Sequence, residues 1–216
     1  MEYKNYVIRN ERKEDCRIVE EMIREAFWNV HEPGCNEHYL AHLLRGHENF
    51  IPELNFVLEE EAKIVGNIMF AESKLVSIDG EEMKVLTFGP LSVHPDYQRK
   101  GYGKALVEYS FDKALKMGYK VCVIFGHPSN YISRGFKNCK KYNVFVGEKV
   151  YPTAMLVCEL EEGTLEGKVW EYQESPAYEI DESGFDAFDK EFPYKEKEYR
   201  RSQEEFYIYS HSQIVW

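Results

Sequence analysis

The hydrophobic pattern of the first fifty residues predicts one strand and two helices. Residues 6–9 predict a short first strand. A helix follows, because apolar side chains recur every three or four positions and charged side chains occupy the opposite face. Its apolar face consists of Ile18, Val19, Met22, Ile23, Ala26 and Phe27. Asn36 can cap the start of a second helix, whose apolar face carries Tyr39, Leu40, Leu43 and Leu44.

The next part of the chain predicts an antiparallel meander. Residues 56–59 and 64–71 form one strand pair around an acidic turn. Residues 74–78 and 83–88 form another pair around Asp79-Gly80, which is a strong hairpin signal. Gly89-Pro90 then interrupts the last strand, since proline donates no N–H to a sheet. We therefore expect the sheet to bulge or splay at this point.

A strand, a helix and a second strand follow. Residues 91–93 are extended and lead through a loop into an amphipathic helix that runs from Tyr102 to Gly118. Residues 120–125 are apolar from Val121 onward, as expected for a buried parallel strand. Together they predict a right-handed β-α-β crossover. Two closing strands are predicted over residues 145–150 and 151–160.

The loop before this helix has the composition of an anion-binding site. The first N–H groups of a helix are unpaired and carry a partial positive charge, so glycines that let an anion approach them create a phosphate site. Gly101 and Gly103 provide that access. Arg99, Lys100 and Lys104 add a cationic cluster to a chain whose formal net charge is -11, which indicates a polyanionic ligand. The alternative is a tight turn surrounded by solvated lysines.

Two common phosphate loops do not fit this segment. The chain lacks the G-x-x-x-x-G-K-[ST] motif, and Leu106 replaces the third glycine of G-x-G-x-x-G. A site for a nucleoside triphosphate or for NAD is therefore disfavoured.

The spacing Gln98-x-x-Gly101-x-Gly103, preceded by Val93-x-Pro95, resembles the coenzyme A loop of the GNAT superfamily of acetyl-CoA-dependent N-acetyltransferases. The resemblance covers about residues 3–160. It implies an α+β fold in which helices flank a mixed, mostly antiparallel central sheet with two splayed strands. It also implies acetyl-CoA as cosubstrate and no metal. The coenzyme would be bound by Leu91, Ser92, Val93, Gln98, Arg99, Lys100, Gly101, Tyr102, Gly103, Lys104 and Asn130.

Tyr131 stands four residues before Gly135-Phe136 and matches the Y-x-x-x-G-F of the same superfamily. The resemblance implies that Tyr131 protonates the departing coenzyme A thiolate, which a phenol within hydrogen-bond reach can do. The alternative is a core tyrosine that anchors a short helix. Backbone N–H groups near Val93 would polarise the thioester carbonyl.

The resemblance also assigns one wall of the acceptor pocket to the first helix pair, with Trp28, His31, Glu32, His38 and His42 as substrate-shaping residues. The segment H-Y-L-A-H from His38 to His42 lacks the glutamate of the zinc-hydrolase motif, so a metal site is disfavoured. The carboxylate that the family often carries on the strand before the loop is missing here. The candidates for a general base are Glu32, Glu72, Glu82 and His94, and the sequence does not choose among them.

Composition narrows the class of protein. Hydrophobic residues make up 44% of the 216 positions, which is typical of a packed globule. No apolar run reaches the ~20 residues of a membrane span. The five cysteines lack C-x-x-C spacing and the first residues are charged, so we expect a cytoplasmic protein without disulfides. The acidic balance disfavours nucleic acid and favours a cationic partner, such as a small-molecule or peptide amine.

The composition changes near residue 163, which predicts a catalytic domain over residues 1–163 and an acidic, aromatic extension over residues 164–216. Residues 166–216 contain thirteen acidic, six basic and twelve aromatic side chains. Helices are predicted over residues 183–192 and 195–206. Because this many aromatic residues need to be buried, we expect the extension to dock either on the catalytic domain or on a second subunit. The second arrangement would make the protein a homodimer.

The sequence thus favours an N-acetyltransferase in which a primary amine attacks acetyl-CoA directly. The alternative is a catalytically silent acyl-CoA-binding protein that acts as a sensor or interaction module.

Overall fold

The computed structural model describes residues 6–215, which form one mixed sheet with helices on both faces. The strands are β1 (Tyr6–Asn10), β2 (Phe56–Glu60), β3 (Lys63–Ser77), β4 (Glu82–Val93), β5 (Val121–Phe125), β6 (Lys137–Asn138), β7 (Val144–Phe145), β8 (Met155–Glu159) and β9 (Trp170–Gln173). The α-helices are α1 (Cys16–Phe27), α2 (Glu37–Leu44), α3 (Tyr102–Lys116), α4 (Pro128–Tyr131), α5 (Phe185–Asp189) and α6 (Arg201–Ser210). No helix within residues 6–215 has the length and apolar character needed to cross a membrane.

The strand order is β1-β2-β3-β4-β5-β8-β6, and β9 pairs with both β3 and β7. The pairs β4/β5 and β7/β9 are parallel, and the remaining pairs are antiparallel. The predicted α+β fold, with its mostly antiparallel sheet between helices, is confirmed.

The two faces of the sheet follow from the alternation of side chains along β2 and β3. Leu58, Ile68 and Phe70 pack on one face with Leu106 of α3. Val57 and Met69 point to the other face and pack with Val19 and Ile23 of α1. The periodic apolar faces predicted for α1 and α3 are thus buried against opposite sides of the sheet, except that Ile18 of α1 is 50% exposed, because it lies at the edge of that face.

The strands predicted separately over residues 64–71 and 74–78 are one fifteen-residue strand, β3. Its first half pairs with β2 and its second half with β9 on the same side, so the long strand has neighbours along its whole length. β4 also continues through the cis Gly89-Pro90 peptide, and the β3/β4 register shifts opposite it, between Ile68 and Phe70. The expected irregularity at this proline is therefore confirmed.

The closing strands are shorter than predicted. β7 ends at Phe145, because residues 146–150 fold back on themselves in a turn in which Gly147 and Lys149 have positive φ. β8 begins only at Met155 and pairs with β5 and β6. The turn between β7 and β8 keeps them from pairing with each other.

The C-terminal segment, residues 164–215, is built into the fold. β9 joins the central sheet, and its Trp170 is fully buried. The predicted helix over residues 195–206 is wrong in its first half, because the backbone of residues 196–198 bonds to side chains of the catalytic domain. Trp28 Nε1 donates to the Glu196 carbonyl at 2.9 Å, and the Glu198 N–H donates to Asn29 Oδ1 at 3.1 Å. The boundary at residue 163 stays a prediction.

Candidate active site

β4 and β5 diverge where the phosphate loop was predicted. Their parallel pairing consists of a single register position, Leu86 opposite Cys122. Beyond it β4 runs on to Val93, and the only strand that it pairs with among the described residues is β3 on its other side. Because the His94 N–H donates to Val65 O at 2.9 Å and bonding directions alternate along a strand, the backbone groups of Leu91 and Val93 face the gap.

Ser92 belongs to the opposite side of β4. Its backbone faces β3, and its buried hydroxyl donates to Asn67 Oδ1. Of the three β4 residues predicted to bind the coenzyme, only Leu91 and Val93 therefore present backbone groups to the gap.

Several residues fix the loop before α3 in a conformation that leaves the start of this helix accessible. Gln98 Nε2 donates to Val93 O at 3.1 Å, which ties the loop to the strand. Arg99 and Gly101 both have positive φ, and Gly101 at +85° is the residue immediately before α3. The side chain of Lys100 lies 4.5 Å above the Tyr97 ring. The first N–H groups of α3 thus face a glycine-lined surface with cations beside it, which is the arrangement that binds phosphate.

Tyr102 and Lys104 contribute differently to this loop. Tyr102 is buried, its hydroxyl donates to Glu60, and burial raises its pKa to about 12. Its side chain anchors α3 to β2, and only its backbone is available at the helix start. Lys104 is exposed and lies 3.4 Å from Glu108 one turn along the helix.

Arg134 is a cation of this region that was not among the predicted site residues. Its Nη2 lies 3.8 Å from where a Cβ would stand on Gly103, and its guanidinium carbon lies 5.6 Å from the centre of the Tyr131 ring. Its Nη1 donates to the Asn130 carbonyl, and its Nε is buried without a hydrogen-bond partner among the described residues. Arg134 therefore places positive charge between the start of α3 and Tyr131. The sequence signal that could have identified Arg134 as a site residue is its position three residues after Tyr131, within the Y-x-x-x-G-F motif.

Tyr131 ends the short helix α4 and lies against aromatic side chains. Its ring centre is 5.8 Å from that of Phe88 and 5.7 Å from that of Phe136. The backbone of Gly126 passes so close that a Cβ there would stand 2.6 Å from Tyr131 Cε2. Burial raises the pKa of Tyr131 to about 12, so its hydroxyl keeps its proton at neutral pH. The Arg134 charge acts in the opposite direction and favours a phenolate.

Tyr131 and Asn130 line a cleft of about 400 Å³ that continues the gap between β4 and β5. The floor comes from both diverging strands and the loop after β5. One wall comes from the first helix pair, and the other from the C-terminal segment. The lining residues are Phe27, His31, Glu37, Leu40, Thr87, Phe88, Gly89, Pro90, Leu91, Phe125, Gly126, His127, Asn130, Tyr131, Ala154, Glu174, Tyr178, Phe206, Tyr209 and Ser210.

A chain of aromatic contacts crosses this cleft through α6. The imidazole of His31 stacks on Phe206 at 4.4 Å, and Phe206 contacts Tyr209 at 5.5 Å. Tyr209 in turn meets His127 edge to face at 4.8 Å. α6 therefore connects the helix-pair wall to the loop that carries Tyr131.

Of the residues predicted to shape the acceptor pocket, His31 lines the cleft and Trp28, His38 and His42 do not. Trp28 and His38 are buried under the C-terminal segment. His42 is half exposed, and its Nδ1 lies 3.2 Å from a carboxylate oxygen of Glu20. Glu32 is exposed in the turn before Cys35 and is not among the lining residues. Within residues 6–215, no group of three or more potential ligands is placed to hold a metal ion.

The buried histidine belongs to a network that holds the C-terminal segment in place. His38 Nε2 lies 3.0 Å from Asp189 Oδ1, which also accepts from Arg24 Nε at 2.7 Å. Cys35 Sγ lies 3.6 Å from His38 Nδ1. The contacts from Cys35 through His38 to Asp189 resemble those of a catalytic triad. However, burial raises the pKa of the Cys35 thiol and lowers the pKa of His38 to about 4. Both groups are therefore neutral at pH 7.

The predicted base candidates also lie outside the cleft. Glu72 accepts from Tyr119 at 2.9 Å and pairs with Lys84, and Glu82 is exposed. The carboxylates that do line the cleft are Glu37 and Glu174. Glu174 was not predicted as a residue of this cleft, because it follows β9 and stands more than eighty residues after the part of β4 that lines the same cleft.

Three comparisons with known proteins bear on this site. The model of the acetyltransferase (GNAT) family matches residues 19–137. The uncharacterized N-acetyltransferase YhbS of Escherichia coli K12 is 26% identical over 131 residues, which cover 61% of this chain and 73% of YhbS. The crystal structure of Escherichia coli YhbS in complex with CoA has a TM-score of 0.68 at 21% identity and covers 81% of this chain and 92% of that one. A GNAT family acetyltransferase from Brucella melitensis, in complex with acetyl-CoA, has a TM-score of 0.62 at 21% identity, over 82% of this chain and 99% of that one.

Proposed function

Because the chain belongs to the acetyltransferase (GNAT) family, we propose that it transfers an acetyl group from acetyl-CoA to a primary amine, with Tyr131 as the general acid. The observation that carries the proposal is that the gap between β4 and β5 and the ring of Tyr131 lie at one cleft. Arg134 connects this cleft to the start of α3, since its Nη2 lies 3.8 Å from a Cβ position on Gly103 and its guanidinium carbon 5.6 Å from the Tyr131 ring centre.

The coenzyme side follows from the charges and the free backbone groups. The start of α3, with Arg99, Lys100 and Lys104, suits the diphosphate. The pantetheine arm would pair with the backbone of Leu91 and Val93, as an added strand does. Two relatives with the same fold were crystallised with CoA and acetyl-CoA, which supports this choice of cosubstrate.

The chemistry requires an amine that has lost its proton and a thiolate that gains one. The amine nitrogen attacks the acyl carbon, the carbon–sulfur bond breaks, and the sulfur takes the proton of the Tyr131 hydroxyl. A backbone N–H near Val93 would stabilise the negative charge on the carbonyl oxygen. The guanidinium of Arg134, 5.6 Å from the ring, favours the phenolate that remains. A proton released by the amine then restores the phenol.

The test combines binding and turnover. Calorimetry should detect acetyl-CoA binding, and a thiol-release assay over a panel of amines should find acceptors that become acetylated. Tyr131→Phe should bind acetyl-CoA within about twofold of wild type and lose about 100-fold in kcat, the usual contribution of a general acid. Tyr194→Phe, at a position 90% exposed, is the matched control and should change neither quantity.

The role of Tyr131 and the acetyl transfer itself can be refuted separately. A Tyr131→Phe variant with full turnover would contradict the role of Tyr131 and leave acetyl transfer standing. Acetyl-CoA binding without thiol release from any amine would instead support the silent acyl-CoA-binding alternative.

A further inference from the structure

The acceptor side of the cleft carries negative charge on two walls. Its lining includes the carboxylates of Glu37, in α2, and of Glu174, after β9, and it includes no lysine or arginine among the described residues. A cleft with this lining attracts cations and repels carboxylates and phosphates.

The two carboxylates differ in whether they have a hydrogen-bond partner. Glu37 Oε1 lies 2.8 Å from His31 Nδ1, so it already has a partner. Glu174 has no hydrogen bond or ion pair to any residue in the described range, although it lines the cleft. Desolvation, with a smaller contribution from Glu179, raises the pKa of Glu174. Glu174 is an exposed residue, so a ligand cation in the cleft would replace water at its carboxylate.

Much of the remaining lining is aromatic. Phe27, Phe125, Tyr178 and Phe206 all contribute to it. Tyr178 is held in place because its hydroxyl donates to Thr87 O at 3.1 Å. Aromatic faces pack well against methylene groups and also attract ammonium groups.

The cleft is also limited in size. α6 is tied at its start, where Ser202 Oγ donates to Val30 O at 2.8 Å, and beyond its end, where the Ile214 N–H donates to Tyr151 O at 2.9 Å. A volume of about 400 Å³ under this helix suits a small molecule.

We propose that the acceptor is a small, straight-chain diamine: one amine nitrogen is acetylated, an apolar spacer lies along the aromatic lining, and Glu174 binds the second, charged nitrogen. This inference rests on the proposed acetyl transfer and specifies its substrate class. An amino acid fits less well, because its carboxylate would enter a cleft that already holds two.

The test uses three amines that differ in one group each. Cadaverine has two amines, pentylamine lacks one of them, and lysine is cadaverine with an added carboxylate. We expect kcat/KM for cadaverine to exceed that for pentylamine by about tenfold or more, since only cadaverine can form a charged hydrogen bond with Glu174. We expect a similar ratio over lysine, because the carboxylate of lysine would be repelled by the carboxylates of the cleft.

Glu174→Gln tests the residue. It should raise KM for cadaverine about tenfold and leave KM for pentylamine within about twofold. Glu166→Gln removes the same charge from an exposed position outside the cleft and is the control.

Pentylamine or lysine used as well as cadaverine would overturn the diamine class while acetyl transfer stood. An equal effect of Glu174→Gln on both amines would show that Glu174 does not bind the second nitrogen. Binding of acetyl-CoA without acetylation of any amine would overturn the proposed function itself, and the diamine class with it.

Discussion

Gly126→Ala should displace the Tyr131 ring without disturbing the coenzyme loop. The added Cβ would stand 2.6 Å from Tyr131 Cε2 and 3.2 Å from Cδ2. Ordinary carbon contacts begin near ~3.5 Å, so the ring must move by about 1 Å. Gly126 does not have positive φ, so alanine adds no backbone strain there. The effect therefore comes from the ring contact.

The size of the effect follows from this displacement. A misplacement of about 1 Å in a catalytic group costs about 100-fold in rate, which corresponds to about 2.7 kcal/mol of barrier. Overpacking should also lower the free energy of unfolding by about 1–3 kcal/mol. We expect kcat for the best acceptor to fall about 100-fold, with acetyl-CoA affinity within about threefold of wild type.

A double-mutant cycle shows whether the loss acts through the hydroxyl. On a Tyr131→Phe background, Gly126→Ala should cost less than about threefold in kcat, because the group that it displaces is already gone. Gly46→Ala, whose nearest neighbour would be Leu43 O at 3.6 Å, is the control and should behave as wild type. A full 100-fold loss on the Tyr131→Phe background, or no loss in the single variant, would refute this reasoning.

Two predictions concern the network that holds the C-terminal segment. Arg24→Ala should lower the free energy of unfolding by about 3–5 kcal/mol, because it leaves Asp189 partly buried without its cation, whereas Arg201→Ala breaks an exposed pair with Glu205 and should cost less than ~1 kcal/mol. Urea unfolding measures both, and equal losses would contradict the argument. Burial holds the pKa of His38 at about 4, so between about pH 6.5 and pH 4 the unfolded chain binds a proton that the folded protein does not. Acidification through this window should destabilise wild type by up to ~3 kcal/mol more than His38→Gln, and parallel pH profiles would show that His38 does not titrate as described.

The features predicted well are those that depend on neighbours along the chain. Gly101 stands immediately before α3, which begins at Tyr102 as predicted. Tyr131 lines the gap between the strands, as its distance from Gly135-Phe136 implied. The irregularity at Gly89-Pro90 likewise follows from the chemistry of one dipeptide.

The acceptor side could not be predicted in the same way. His38 was placed among substrate-shaping residues because the resemblance assigned them to the first helix pair, but the C-terminal segment covers it. Residues 195–200 had a helical pattern, yet Trp28 and Asn29 offer their backbone other partners. Glu174 reaches the cleft only because β9 pairs with β3, about one hundred residues earlier.

The sequence alone determined the side of the cleft that we propose for the coenzyme. A helix start, the glycines before it and a tyrosine at fixed spacing are set by interactions over a few residues, and these differ little from one context to another. The tertiary structure decided the side that we propose for the acceptor, because that wall is assembled from segments far apart in the chain. Which of their side chains are buried, paired or open to the cleft depends on contacts that exist only after β9 and α6 have packed against the sheet.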